Sequence, residues 1–293
     1  MRSTCSTSIP ALATAALMAT ALMLPVVTPA QSQSTTVANA SPATASPDDR
    51  RFVQIFIHDA AIVENLWLEG QLRLQSLSNN DDVFRVGPVF AFSPVDRLEI
   101  GGRIDYIDRD VPGGGSESGL GDTTAWAKWQ FFHNPVQFTV GVELFLPTGD
   151  EDAFLGTGEF DIGVFGAVRK NLDEAYITGY FGFRDNGDSA VGGDVLPSEL
   201  KLKGDTSIFL GGGVMFPLND RFALSGELRV ETERYEGSGK AEKAVEGGES
   251  LIDLTVGGYW YLSKEATLRA GFGIGLDDGA PDWQLIVGFA WHY

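Results

Sequence analysis

The feature that most constrains the fold is a two-residue alternation of side-chain type, clearest over residues 283–293. One face of this segment is large and apolar, with Trp283, Leu285, Val287, Phe289, Trp291 and Tyr293. The opposite face is mostly polar or small, with Gln284, Ile286, Gly288, Ala290 and His292. Because successive side chains of a β-strand point to opposite faces, this alternation predicts a strand between an apolar and a mixed environment.

The same alternation recurs from Leu66 onward, in segments separated by turn residues. We predict strands at 65–76, 83–92, 97–107, 119–131, 137–146, 159–169, 175–184, 205–216, 221–233, 250–262, 266–276 and 283–293. A uniformly apolar outer face and a polar inner face are typical of barrels in a lipid bilayer. The alternative, a soluble sandwich, would expose a Trp-rich edge. The sequence therefore predicts an all-β fold, a transmembrane antiparallel up-and-down β-barrel of about twelve strands.

The connections between these strands alternate in length. The short ones lie at 93–96, 132–136, 170–174, 217–220 and 263–265. Those between them lie at 77–82, 108–118, 147–158, 185–204, 234–249 and 277–282. Bacterial outer-membrane barrels have short periplasmic turns and longer external loops. The pattern predicts an outer-membrane protein with both termini in the periplasm, where the barrel assembly machinery would bind the strand ending at Tyr293.

The N-terminal region differs from the rest of the chain. Residues 1–40 resemble a signal peptide, with a basic start, an apolar run and small residues near two cleavage sites, after Ala30 or Ala40. A membrane-anchor helix is the alternative. Residues 41–64 form either a flexible leader, a short plug or an additional strand over the amphipathic residues 52–57. The barrel domain then spans residues 65–293.

The charge balance limits the partners. The chain has 21 basic and 40 acidic residues, and its formal net charge is −19. Nucleic-acid binding needs a basic surface, so we expect no such partner. We expect outer-membrane lipid and lipopolysaccharide as partners, and the acidic outer loops either bind divalent ions or are simply solvated. The only cysteine, Cys5, lies in the predicted signal peptide, and we expect no cofactor and no dedicated metal site.

The three histidines do not predict catalysis. Barrel hydrolases commonly place a histidine base beside a nucleophile at the outer rim. Here His58 lies in the leader region, His133 in a predicted periplasmic turn and His292 next to the C-terminus. We therefore predict no catalytic residues, and an outer-rim hydrolase is the least favoured function.

Charged residues of both signs are predicted on the inner face of the barrel. They are Arg73, Glu99, Arg103, Asp105, Asp122, Lys128, Glu143, Asp161, Arg169, Arg184, Glu227, Arg229, Glu231, Asp253 and Arg269. Two interpretations follow from this set. The charges either neutralise one another and fill a narrow lumen, or they line a polar path for a solute.

Several short motifs resemble those of one known family. They are Ser118-Gly119-Leu120-Gly121-Asp122 with Ala127-Lys128-Trp129, then Leu146-Pro147-Thr148-Gly149-Asp150, then Gly156-Thr157-Gly158-Glu159-Phe160-Asp161. Their order resembles the outer-membrane transporters called "MetA-pathway of phenol degradation", which are distantly similar to long-chain fatty-acid transporter barrels. The resemblance implies passive passage of small hydrophobic or aromatic molecules. The alternative is a structural or interaction barrel with a blocked lumen and partner-binding acidic loops.

Overall fold

The computed structural model describes residues 50–77, 82–110, 115–188, 203–236 and 249–293. The predicted signal peptide and its cleavage sites lie outside these residues. No helix in the described ranges is long and apolar enough to cross a membrane.

The described regular elements are β-strands that follow one another along the chain. They are β1 (Leu66–Ser76), β2 (Asp82–Val95), β3 (Leu98–Arg103), β4 (Tyr106–Asp110), β5 (Ser116–Leu120), β6 (Thr123–Phe132), β7 (Val136–Leu146), β8 (Asp161–Asn171), β9 (Tyr176–Asp185), β10 (Lys203–Gly204), β11 (Thr206–Pro217), β12 (Phe222–Glu231), β13 (Tyr235–Glu236), β14 (Leu251–Tyr261), β15 (Ala266–Gly275) and β16 (Trp283–His292).

Antiparallel pairing closes these strands into a barrel. The first strand, β1, pairs with β2 on one side and with the last strand, β16, on the other. Two strands of the wall are interrupted, so that β3 and β4 together form one strand and β5 and β6 form the next. Counted in this way the barrel has twelve strands, and the predicted fold is confirmed. The short pair β10–β13 extends beyond the wall.

The interruption between β3 and β4 follows from a close approach of two backbones. The pairing of β2 with β3 ends at Val89 and Arg103, and pairing resumes between Val86 and Tyr106. Between these points a Cβ atom on Gly87 would lie 1.9 Å from the carbonyl oxygen of Ile104. Only glycine fits there, so the bulge depends on Gly87.

Two predicted connections are wrong in extent. In the loop predicted at 108–118, most of the described residues are strand, because β4 extends to Asp110, β5 begins at Ser116, and the two pair from Tyr106–Leu120 to Asp110–Ser116. Polar and apolar residues are mixed on both faces of this hairpin, so the alternation that marks the other strands is missing. The turn predicted at 93–96 is also too early. There β2 continues to Val95, and Arg97, with a φ of 71°, lies in the reversal.

The two faces of the wall differ as a bilayer requires. Large apolar side chains on the outer face are exposed along the strands, including Leu228, Val256, Phe272 and Phe289. Inward-facing side chains are buried, and the hydrophobic core lies between the inner wall and residues that precede β1. One end of the barrel has the short turns and both ends of the described chain, and is called the short-turn end. The other is called the long-loop end.

We predict that Leu228→Arg, in the middle of β12, destabilises the barrel in a lipid bilayer by about 2–4 kcal/mol, because it places a charge among acyl chains. Leu218→Arg is the matched control, since Leu218 is 60% exposed in a short turn. Urea unfolding of the protein refolded into vesicles measures both changes. Equal destabilisation at the two positions would show that the outer face of β12 does not contact lipid.

Candidate functional site

Residues 50–63 lie inside the barrel and are called the plug. They contain no strand, and they pack through Phe52, Val53, Ile55 and Ala60, each at most 1% exposed, against the inner wall. The plug begins at the short-turn end, where the guanidinium of Arg50 lies over the rings of Tyr176 and Tyr261. It turns back near the middle of the barrel.

The plug returns to the short-turn end at Val63, where Glu99 of β3 holds it. One carboxylate oxygen of Glu99 accepts a hydrogen bond from the backbone N–H of Val63 at 2.8 Å and lies 3.1 Å from Nη1 of Arg51. The other oxygen lies 2.9 Å from Nζ of Lys128 and 2.9 Å from the indole nitrogen of Trp126. Glu99 therefore joins both ends of the plug to the wall.

At Asp59 the acid belongs to the plug, and basic side chains surround it. Its carboxylate lies 2.7 Å from Nη1 of Arg169 and 3.8 Å from Nε of Arg51. Lys128 donates to the carbonyl oxygens of Asp59 and Ala61 at 3.2 and 3.1 Å. All of these charged side chains are fully buried, so each charge has lost its water and depends on its partner.

A third contact joins the plug backbone to β12. The carboxylate of Glu227 accepts hydrogen bonds from the backbone N–H groups of Val53, Gln54 and Ile55 at 3.2, 2.8 and 3.1 Å. Arg269 of β15 also holds the plug, since it donates to the carbonyl oxygen of Phe52 at 2.9 Å and pairs with Glu69. The orphan backbone groups of this strandless segment are thus satisfied by charged wall residues.

The short-turn half of the lumen is filled. Wall side chains that face the plug, among them Met215, Thr255, Ile286 and Ala290, are completely inaccessible to solvent. The wall charges around the plug are buried to the same degree. Among the described residues, this half therefore holds no water-sized passage while the plug is in place.

A cavity of about 240 Å³ occupies the long-loop half. Its floor is the plug, through Gln54, Ile55, Ile57 and His58. His58 stacks on Tyr180, with ring centroids 4.6 Å apart, and its Nε2 lies 3.0 Å from a carboxylate oxygen of Glu143. The plug thus separates the filled short-turn half of the lumen from the long-loop half, which contains the cavity.

Glu143 continues into a chain of ion pairs on one side of the cavity. Arg184 lies 2.6 Å from Glu143 and 2.6 Å from Glu231, and Arg234 lies 2.7 Å from Glu231. Nearby, Arg229 pairs with Asp253 at 2.7 Å. Acids and bases alternate here, so this side of the cavity is close to neutral.

The loop of residues 147–160, called the inner loop, folds into the long-loop end. Asp122 holds it by accepting hydrogen bonds from the backbone N–H groups of Gly149 and Thr157, at 3.0 and 2.8 Å, and from the Thr157 hydroxyl at 3.1 Å. A Cβ atom on Gly156 would lie 2.4 Å from Oδ1 of Asp122, so glycine is required there. Phe154 and the residue after it are buried and line the cavity.

The inner loop gives a structural role to the motifs that carried the family resemblance. Asp122 ends the first motif, Gly149 lies in the second, and Gly156 and Thr157 begin the third. Their short, glycine-rich character follows from the close approach of the loop to the Asp122 carboxylate.

All of the predicted lumen residues are buried or half-buried. Those lining the cavity are Arg73, Arg103, Asp105, Asp122, Glu143, Asp161, Arg184, Arg229 and Glu231. Those that contact the plug or the pairs around it are Glu99, Lys128, Arg169, Glu227, Asp253 and Arg269. The structure therefore divides the set between two sites.

Other residues of these sites were missed. Arg85, Arg109 and Arg234 line the cavity, and Arg51, His58 and Asp59 belong to the plug. Arg109 and Arg234 fell in predicted loops, and the plug has no strand periodicity that would reveal an inward face. Within the described ranges, no group of His, Cys, Asp or Glu side chains is arranged to hold a metal ion.

No protein-family model matches the chain, and no curated protein matches it in sequence. Solved structures do match. The COG4313 outer membrane channel from Pseudomonas putida F1 is 15% identical with a TM-score of 0.62, over 80% of this chain and 98% of that one. The fold is that of an outer-membrane β-barrel.

Two further barrels are more distant. The NanC porin is 8% identical with a TM-score of 0.50, over 78% of this chain and 100% of its own. The toluene transporter TbuX from Ralstonia pickettii is 8% identical with a TM-score of 0.46, over 80% and 91%, which is too low to compare details. The match to the COG4313 channel supports the architecture, whereas membership of the phenol-degradation family stays a prediction.

We predict that Asp122→Ala releases the inner loop, because it removes the acceptor of the hydrogen bonds from Gly149 and Thr157. Limited proteolysis of the folded barrel should then cut within residues 149–157 at least tenfold faster. Asp152→Ala is the control, since Asp152 lies in the same loop with an exposed side chain. If both variants are cut at the wild-type rate, Asp122 does not hold the loop.

Proposed function

We propose that the chain is a channel of the bacterial outer membrane through which small solutes pass passively when the plug moves. The observation that carries this proposal is the cavity of about 240 Å³, which a closed barrel encloses and the plug alone floors. A solute that reaches the cavity from the long-loop end meets the plug residues Ile55, Ile57 and His58 before it meets the filled half.

The nature of the plug contacts supports a movable plug. The plug is anchored by ion pairs and hydrogen bonds from charged wall residues, in addition to the packing of its apolar side chains against the wall. When water enters, it hydrates both partners, so a net contribution of only about 1.5–3 kcal/mol is lost per hydrogen bond to a charged group. Buried ion pairs likewise recover their desolvation penalty on opening. A plug held in this way can open without unfolding the wall.

The orientation of the barrel, its partners and its solutes are also part of this proposal. The long-loop end faces the exterior and both termini face the periplasm, in agreement with loop length in bacterial barrels. The barrel assembly machinery binds β16, and the acidic loops meet lipopolysaccharide. The family resemblance supports hydrophobic or aromatic solutes, as do Phe145, Phe154 and Phe209 in the cavity lining. We propose no enzymatic activity.

A second candidate is a barrel with a permanently blocked lumen, which binds ions or a partner through its outer loops. The complete burial of the wall around the plug favours it. The two functions differ in one respect, namely whether the plug leaves its place.

A disulfide between the plug and the wall tests this difference. A Cβ atom on Gly271 would lie 2.8 Å from Cγ1 of Val53, so side chains at these two positions are in direct contact, as a disulfide requires. Cys5 is the only natural cysteine, so the new pair is chemically unique in the barrel. We predict that Val53→Cys with Gly271→Cys abolishes solute flux into vesicles when oxidised, and that reduction restores it.

Each single-cysteine variant is the control, and its flux should not respond to oxidation. Flux that continues unchanged through the locked barrel would show that solutes bypass the plug. Absence of flux in the wild type and in every reduced variant would favour the blocked barrel.

A further inference from the structure

The cavity has an arginine-rich wall on consecutive strands. Arg73 of β1, Arg85 of β2, Arg103 of β3 and Arg109 of β4 all line it, and are called the arginine wall. Arg73 and Arg85 lie directly opposite each other in the strand register. Among the described residues from β1 to β4, the carboxylate that lines the cavity is Asp105, between β3 and β4, whose oxygen lies 2.7 Å from Nη2 of Arg103. The chain has a formal net charge of −19, so its overall composition does not account for this local excess of positive charge.

Arg73 is the centre of this wall. Among the described residues its guanidinium makes no ion pair, and its buried Nε has no hydrogen-bond partner. The nearby charges of Arg103, Arg229 and Arg85 repel it, and that of Asp105 attracts it. A buried guanidinium nitrogen without an acceptor costs free energy, which a bound anion would recover. On the opposite side of the cavity the arginines already have partners, because Arg184, Arg229 and Arg234 each contact a carboxylate.

Apolar side chains lie beside the arginine wall. Ile107 of β4, with Phe154 and Leu155 of the inner loop, also lines the cavity, and all are at most 7% exposed. A ligand here would meet positive charge on one side and apolar surface on the other. The cavity is smaller than the roughly 300–1,000 Å³ typical of pockets for drug-sized molecules, so only a small solute fits.

We propose that the arginine wall is a binding site for the carboxylate of a small organic acid with an apolar body. The carboxylate accepts hydrogen bonds from Arg73 and is flanked by Arg85 and Arg103, a geometry that the planar guanidinium suits. The apolar body lies against Ile107 and the inner loop. This inference rests on the proposed function for its role in transport and names the solute class, whereas binding itself requires no movement of the plug.

The acidic exterior is compatible with such a ligand. The exposed carboxylates of the outer loops are screened by salt beyond about 8 Å at physiological ionic strength, whereas charges inside the cavity are screened much less. A small anion that reaches the cavity therefore experiences mainly the arginine wall.

Equilibrium binding of benzoate and of its neutral analogue benzamide to the full chain in detergent micelles tests the site. Isothermal titration, with micelles alone as the blank, should show at least tenfold tighter binding of benzoate. Arg73→Gln should weaken benzoate binding at least tenfold and leave benzamide unchanged. Arg73→Lys, which keeps the charge, should recover part of the loss.

Arg221→Gln is the control, because Arg221 is an exposed arginine in a short turn. It should bind both compounds as the wild type does. Because Arg73→Gln relieves repulsion, it should fold, and Arg85→Gln provides a second variant with the same expected loss. Equal binding of benzoate and benzamide, wild-type binding by Arg73→Gln, or full competition by equimolar chloride would overturn the proposal.

The outcomes separate this inference from the proposed function. If benzoate binds as expected but no solute crosses vesicles, the channel proposal fails and the site stands. If solutes cross but benzoate is not preferred over benzamide, the site fails and the channel stands.

Discussion

The whole structure depends on the antiparallel pairing of the first strand, β1, with the last, β16. This pairing satisfies the backbone groups of both edges, which an apolar solvent would otherwise leave without partners. Once the sheet is closed, each strand has one face toward the outside and one toward a narrow interior. The outward face can then be uniformly apolar, and the charges of the chain's strands gather inside.

Burying many charges in a narrow interior costs desolvation free energy unless each charge has a partner. In the short-turn half the plug supplies these partners, since Asp59 faces Arg169 and the plug's own Arg51 faces Glu99. In the long-loop half the pairing is uneven. One side alternates acids and bases, while the side of Arg73 has an excess of bases. The same constraint therefore accounts for a plug in one half and for a candidate anion site in the other.

The strand alternation made the architecture predictable from sequence, because most strands of the barrel wall have one apolar and one polar face and so repeat every two residues. It also placed charged residues such as Glu143 and Arg184 on the inner face. What they contact was not predictable. The partners of Glu227 are backbone groups more than 170 residues away, and no periodicity marks residues 50–63. Sequence alone thus left the leader, plug and strand alternatives open, and it missed Arg109 because its hairpin lacks the alternation of apolar and polar residues.

The central claim is that the plug closes the lumen reversibly. Single-channel recording of the unmodified full chain in a planar bilayer tests it most directly, since it observes opening and closing without any substitution. The structure predicts a closed baseline interrupted by discrete openings, as the plug leaves and returns. A steady open conductance would contradict closure by the plug, and permanent silence of folded, inserted protein would contradict a channel.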